Sequence, residues 1–182
     1  MSGEVLQMPF ELRDHTADVA VAATGDDLAG VFAAVADGLA AAMCEEIPDS
    51  DGDGNIERFS LSVAAESREA LLYDYLAELI YERDVRIVLP VDNEATIRRP
   101  TTVDQSEPAA SERIEAGLIE SKSTDDGSTN GGSAADRWLL DASARGVALS
   151  SIDAREVKAV TYSEMALERT PDGWHAYVVF DV

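Results

Sequence analysis

The sequence predicts one α+β domain: a two-layer sandwich of a mixed, largely antiparallel sheet with two helices on one face. Three observations predict it. Short segments of alternating apolar residues dominate both ends of the chain. Two segments of helical period interrupt them, and no internal repeat divides the 182 residues. With 46% apolar residues, the chain is long enough to bury one sizeable core.

The elements follow in order. "PFELRDH" and "DVAVAATG" both alternate, so they read as two strands joined through a turn at His15–Asp18. In "DDLAGVFAAVADGLAAAMCEE" the residues Leu28, Val31, Phe32, Val35, Leu39 and Met43 fall on one helical face, with Asp26 or Asp27 as N-cap. "IERFSLSVAA" alternates as a strand. "SREALLYDYLAELIYERD" is a second amphipathic helix, capped by Ser67, with Leu71, Leu72, Tyr75, Leu76, Leu79 and Ile80 turned inward. The strand "VRIVLPV" follows.

From about Asp92 to Asp136 the character changes. "SKSTDDGSTNGGSAAD" is polar and glycine-rich, which predicts a mobile surface insertion at about 92–136 within a single domain spanning 1–182. Core pattern resumes with "RWLLDASARGVAL". "EVKAVTYSEMALERT" and "WHAYVVFDV" then make a hairpin around Pro171-Asp172-Gly173.

Composition excludes several classes of function. Acidic residues number 36 against 14 basic ones, a net charge of −22, and the only lysines are Lys122 and Lys158. Such a field repels a phosphate backbone and argues against autonomous nucleic-acid binding. The acids are spread along the chain, a pattern that suits a protein kept soluble at very high salt. No apolar run of about 18 residues is present to span a membrane. The start "MSGEVLQMPF" lacks a secretory pattern, so the expected compartment is the cytoplasm. Cys44, the single cysteine, reads as a small buried hydrophobe.

Each candidate for chemistry has a plainer alternative. "DSDGDGNIE", residues 49–57, imitates the first half of a calcium loop with Asp49, Asp51, Asp53 and Gly54. The twelfth position, which should supply a bidentate glutamate, is Ser60, so a solvated acidic turn fits better. His15 could act as a base or a ligand, although a histidine at a strand turn more often caps or packs. His175 alternates with Tyr177 and Val179 and reads as structural. No serine elbow, cysteine–histidine pair or phosphate-cradling glycine loop appears. The ends of the chain remain. If the first and last strands are neighbours, Asp18, Asp181 and the terminal carboxylate or carbonyl of Val182 could converge on one cation. Hard oxygen donors of that kind suit calcium or magnesium. Metal site, proton-transfer site and turn chemistry are all open on spacing alone.

Together, three segments resemble the archease family. They are "HTADVAVAATGDDLAGVFAAVADGLAAAM", "EALLYDYLAELIYERD" and "EVKAVTYSEMALERTPDGWHAYVVFDV". The resemblance covers both ends and about two-thirds of the chain, in the family's order. It implies a compact α/β protein that assists an RtcB-type RNA ligase in tRNA splicing. That ligase consumes GTP with manganese through a guanylylated histidine. The activator promotes guanylylation and repeated turnover without being an enzyme itself, and touches tRNA only through the ligase. The resemblance further implies a divalent metal, calcium first and magnesium or manganese as alternatives, held by Asp18, Asp181 and Val182. Lys158 falls on the family's activating lysine, and His15 becomes a motif residue that orients the turn. The chain departs from the family pattern at Ser163, in "GVALSSIDA" and in the length of the 92–136 region. Two other readings stay open: a metal-dependent hydrolase using Asp18 and Asp181, and a calcium-binding or chaperone-like module.

Overall fold

The computed structural model describes residues 10–15, 18–48, 58–100 and 137–182, with residues 13–15 placed by their backbone alone. The elements run β1 (Phe10–His15), β2 (Asp18–Gly25), α1 (Leu28–Met43), β3 (Arg58–Ala65), α2 (Arg68–Arg86), β4 (Val88–Arg98) and β5 (Trp138–Ala148). A 3-10 turn at Leu149–Ser151, β6 (Ala159–Thr170) and β7 (Gly173–Asp181) complete it. The acidic stretch 49–57 and residues 101–136 lie outside the described residues.

The α+β class holds, and the layering is more specific than one mixed sheet. The strands form a four-stranded sheet, β1-β2-β7-β6, and a three-stranded one, β3-β5-β4. Every pairing among them is antiparallel. A period of two in the sequence tells which face a side chain takes, but not which strand lies alongside. Both helices bridge the sheets: α1 packs on β1, β2 and β7 and also on β4, whereas α2 packs on β6 and on β3, β4 and β5.

Local chemistry sets the helix ends. Asp27 caps α1 by accepting from the Gly30 amide at 2.7 Å, and Ser67 caps α2 by accepting from the Ala70 amide at 3.1 Å. At its other end α1 is closed by Arg155. The Arg155 amide donates to the Met43 carbonyl at 2.8 Å and its Nε to the Ala42 carbonyl, which matches a cation to the negative end of the helix dipole. The inward faces read from the sequence are buried, and the Phe32 and Tyr75 rings stack between the helices at 6.4 Å. The second helix runs two residues past Asp84, to Arg86, and stops where Ile87 adopts the left-handed conformation at φ 57°.

Two further features depart from the sequence pattern. The change of character at Asp92 does not end the sheet. The strand continues to Arg98 across an irregularity between Val91 and Glu94, with Asp92 itself at φ 49°. At the hairpin, Gly173 takes φ 139°, and a Cβ there would stand 2.3 Å from the Gly25 carbonyl oxygen, so only glycine fits. Nearby, the Arg68 guanidinium lies 5.1 Å from the Trp174 ring and 5.9 Å from the Trp138 ring. One cation thus joins the two sheets at the start of α2.

Candidate functional site

The two ends of the chain meet. In the ladder between β2 and β7, Asp18 is the direct partner of Asp181. The same row extends outward on both sides, with His15 opposite Asp18 on β1 and Ala159 opposite Asp181 on β6. Directly opposed residues project to the same face, with Cα atoms about 4.5–5.5 Å apart.

That face is opposite the one packed on the helices. Ala176, Val178 and Phe180 alternate with Asp181 along β7, and all three are fully buried in the core. Asp181 itself is exposed and Asp18 half-buried. The next pair along, Ala20 and Val179, is closed to solvent. The carboxylates therefore stand where an apolar floor gives way to water. Like charges opposed across a ladder are destabilising, and a low-dielectric floor sharpens their repulsion.

Lys158 completes the corner. Its amide donates to the Asp181 carbonyl at 2.8 Å, and its Nζ donates to the Val182 main-chain oxygen at 3.1 Å. The ammonium thus holds the residue that follows Asp181. Asp18, Asp181, Val182 and Lys158 are brought together as the sequence suggests. His15 joins them through its backbone register alone. Among the described residues no group of three or more His, Cys, Asp and Glu side chains could hold a metal ion. The oxygen set at this corner is two aspartates and a main-chain oxygen. Such hard donors fit a hard divalent cation and offer nothing specific to zinc.

A second polar group lies elsewhere and was missed in the sequence. Asn93, nearly buried, donates its amide to Asp37 Oδ1 at 3.0 Å and its Nδ2 to the same oxygen at 2.8 Å. The Tyr75 hydroxyl reaches Asn93 Oδ1 at 3.4 Å. Burial holds the Asp37 carboxyl above the usual range, opposed by the two Asn93 bonds. Arg83 was missed as well. It is buried, pairs with Asp84, and donates to the Val157 carbonyl at 3.4 Å and to Met43 Sδ at 3.3 Å. Its signal was present: Leu72, Leu76, Leu79 and Arg83 continue one helical stripe. Cys44 is buried and unbridged, as read, and donates to the Glu46 carbonyl at 3.3 Å.

No helix among the described residues is long and apolar enough to cross a membrane. The family model of the Archease protein family matches residues 10–182. A protein archease from Pyrococcus abyssi is 29% identical over 177 residues, covering 95% of this chain and 98% of that protein. One from Methanosarcina acetivorans is 28% identical over 174 residues, with 95% of each chain covered. Among solved structures, protein 1598 of Methanobacterium thermoautotrophicum superposes with a TM-score of 0.63 at 22% identity, covering 97% of this chain and 100% of that one. An archease of Thermotoga maritima, described as a possible chaperone, gives 0.50 at 18% identity, with 93% and 94% covered. Motif order, fold and family match agree: this chain belongs to the archease family.

Proposed function

We propose that this chain is a non-catalytic activator of an RtcB-type RNA ligase, promoting its guanylylation and its repeated turnover in tRNA splicing. The reading rests on family membership and on one observation: Asp18 opposes Asp181 in register, with Lys158 bonded to the residue beyond. Asp18, Asp181 and the Val182 oxygen would hold a divalent cation. Calcium is the first choice, with magnesium or manganese as alternatives. When bound, that cation supplies positive charge that screens the opposed carboxylates and a Lewis-acidic face towards the partner.

The remaining parts are done by the chain itself. Lys158 fixes Val182, and so sets where its oxygen points. The buried pair Ala20 and Val179 anchors the row beneath, so the acids are presented on a rigid ladder. The ligase would supply the nucleotide chemistry, and this corner would order its loading site.

The test uses the ligase with GTP and manganese, the activator present at substoichiometric amounts, and counts ligation turnovers and guanylylated ligase. The wild-type chain should accelerate both steps. Asp18→Ala and Asp181→Ala should remove the acceleration and weaken divalent binding by about 10–100-fold. An unaccelerated ligase with the wild-type chain would refute the reading, and so would full acceleration by both variants.

A further inference from the structure

A buried cation stands behind the acid corner. Arg83 is only 6% exposed, on a face of α2 otherwise built from Leu72, Leu76 and Leu79. Taking a guanidinium out of water is costly, and an ion pair seldom returns the whole of that cost. Its acid here, Asp84, keeps a side chain that is 59% exposed, so the pair is mostly solvated at one end. A plain apolar residue would continue the stripe with no such penalty. The use of the arginine lies in what its Nη1 reaches.

Nη1 donates to the Val157 carbonyl at 3.4 Å. Val157 is fully buried, yet it lies between the 3-10 turn and β6, where no ladder satisfies its carbonyl. A buried carbonyl without a donor is strongly disfavoured. Arg83 supplies that donor. The same peptide unit carries the Lys158 amide, which donates to the Asp181 carbonyl at 2.8 Å. In a trans peptide the C=O and N–H point in opposite directions within one plane. That plane is therefore held at both ends, by α2 on one side and by β7 on the other. Lys158 leaves it with its Nζ on the Val182 oxygen at 3.1 Å.

The same guanidinium ties this segment to the end of α1. Nη1 also reaches Met43 Sδ at 3.3 Å, and the Met43 carbonyl accepts the Arg155 amide at 2.8 Å. Residues 155–158 thus cross from α1 to β7 held in succession by Arg155 on Met43, Val157 on Arg83 and Lys158 on Asp181. Loss of the middle hold would leave the peptide between Val157 and Lys158 free to rock about the Lys158 amide bond.

We infer that Arg83 is a positioning residue for activation. Through the plane between Val157 and Lys158 it sets the direction in which Lys158 leaves the backbone, and so where its ammonium and the Val182 oxygen stand. Arg83 touches neither the acids nor the partner; it acts through Lys158 from inside the core. Its effect on the ligase rests on the activator reading above, whereas the positioning is a property of the free chain.

Two measurements on Arg83→Met and Arg83→Lys test this. Native-state hydrogen exchange on the free chain reads the Lys158 amide against the amides of β2 and β7. In Arg83→Met that amide should exchange faster by about tenfold more than any change in the two strands. Titration of ligase guanylylation with each variant then separates the plateau from the half-saturating concentration. The Arg83→Met plateau should fall about tenfold or more, with half-saturation at the wild-type value, because a displaced group acts badly once docked. Arg83→Lys keeps one donor for the single Val157 carbonyl and should restore both the exchange rate and the plateau. Exchange that rises equally at Lys158, β2 and β7, or not at all, overturns the positioning. So does a lysine variant that recovers neither readout. A loosened Lys158 amide with a wild-type plateau overturns the role in activation. If the wild-type chain does not accelerate the ligase, the activator reading falls, and exchange at Lys158 still decides the positioning.

Discussion

Asp18, Asp181 and Lys158 form a small charge balance whose terms can be changed one at a time. The Lys158 ammonium already occupies the Val182 oxygen, one of the three proposed donors. It competes with any divalent ion for that oxygen. Lys158→Gln should therefore tighten calcium binding by up to about fivefold, since an exposed charge interaction is worth about 0.2–1 kcal/mol. Titration calorimetry on the isolated protein measures this. The same variant should lose activation of the ligase, which separates the lysine's role from that of the metal. Asp37 illustrates a different balance. Burial is the largest cause of its raised pKa, with the Asn93 bonds opposing it. A carboxyl raised in the folded state binds more protons there than in the unfolded chain. Its contribution to stability is thus fully present below 3.8, its ordinary value, and is lost as pH rises through the folded value. Asp37→Asn keeps an oxygen for both Asn93 donors and should flatten that part of the stability–pH curve. Asp37→Leu strands the donors and should cost about 1–3 kcal/mol at any pH in urea unfolding.

The elements differ in how plainly the sequence announced them. Both helices were legible because their signals are local: Asp27 and Ser67 cap them, and the apolar stripes run unbroken from Leu28 to Met43 and from Leu71 to Ile80. The β6–β7 hairpin was legible for the same reason, with Pro171 and Asp172 in the turn and Gly173 at a positive φ. The division into two sheets was not legible, since pairing is decided by long-range packing of the helices rather than by any segment's own pattern. The continuation of β4 through Arg98 was hidden because Asp92 and Asn93 look like loop residues, while Asn93 is in fact buried against Asp37. The acid corner was legible as composition, and its one-to-one register was not. Family resemblance supplied that placement before any geometry did. At this scale the caps give a direct measurement. Ser67→Ala removes the acceptor for the Ala70 amide and should lower stability by about 1 kcal/mol, read as a shift in the urea midpoint at constant slope.

At the scale of the whole molecule, net charge and connectivity matter most. A charge of −22 on one domain repels itself over a screening distance of about 10 Å at 0.1 M salt and about 3 Å at 1 M. The melting temperature should rise steeply across that range, in sodium chloride free of divalent ions, and a flat profile would show that local ion pairs already absorb the repulsion. The pairing of β4 with β5 has a different consequence. Arg98 sits directly opposite Leu139, so the polypeptide departs from the scaffold and returns to it at a single doorway. Closing a flexible loop between two such neighbours costs little extra as it lengthens: each doubling or halving changes closure entropy by only about 0.6 kcal/mol. A change in the number of residues between Arg98 and Leu139 should therefore leave the register of β4 on β5 in place.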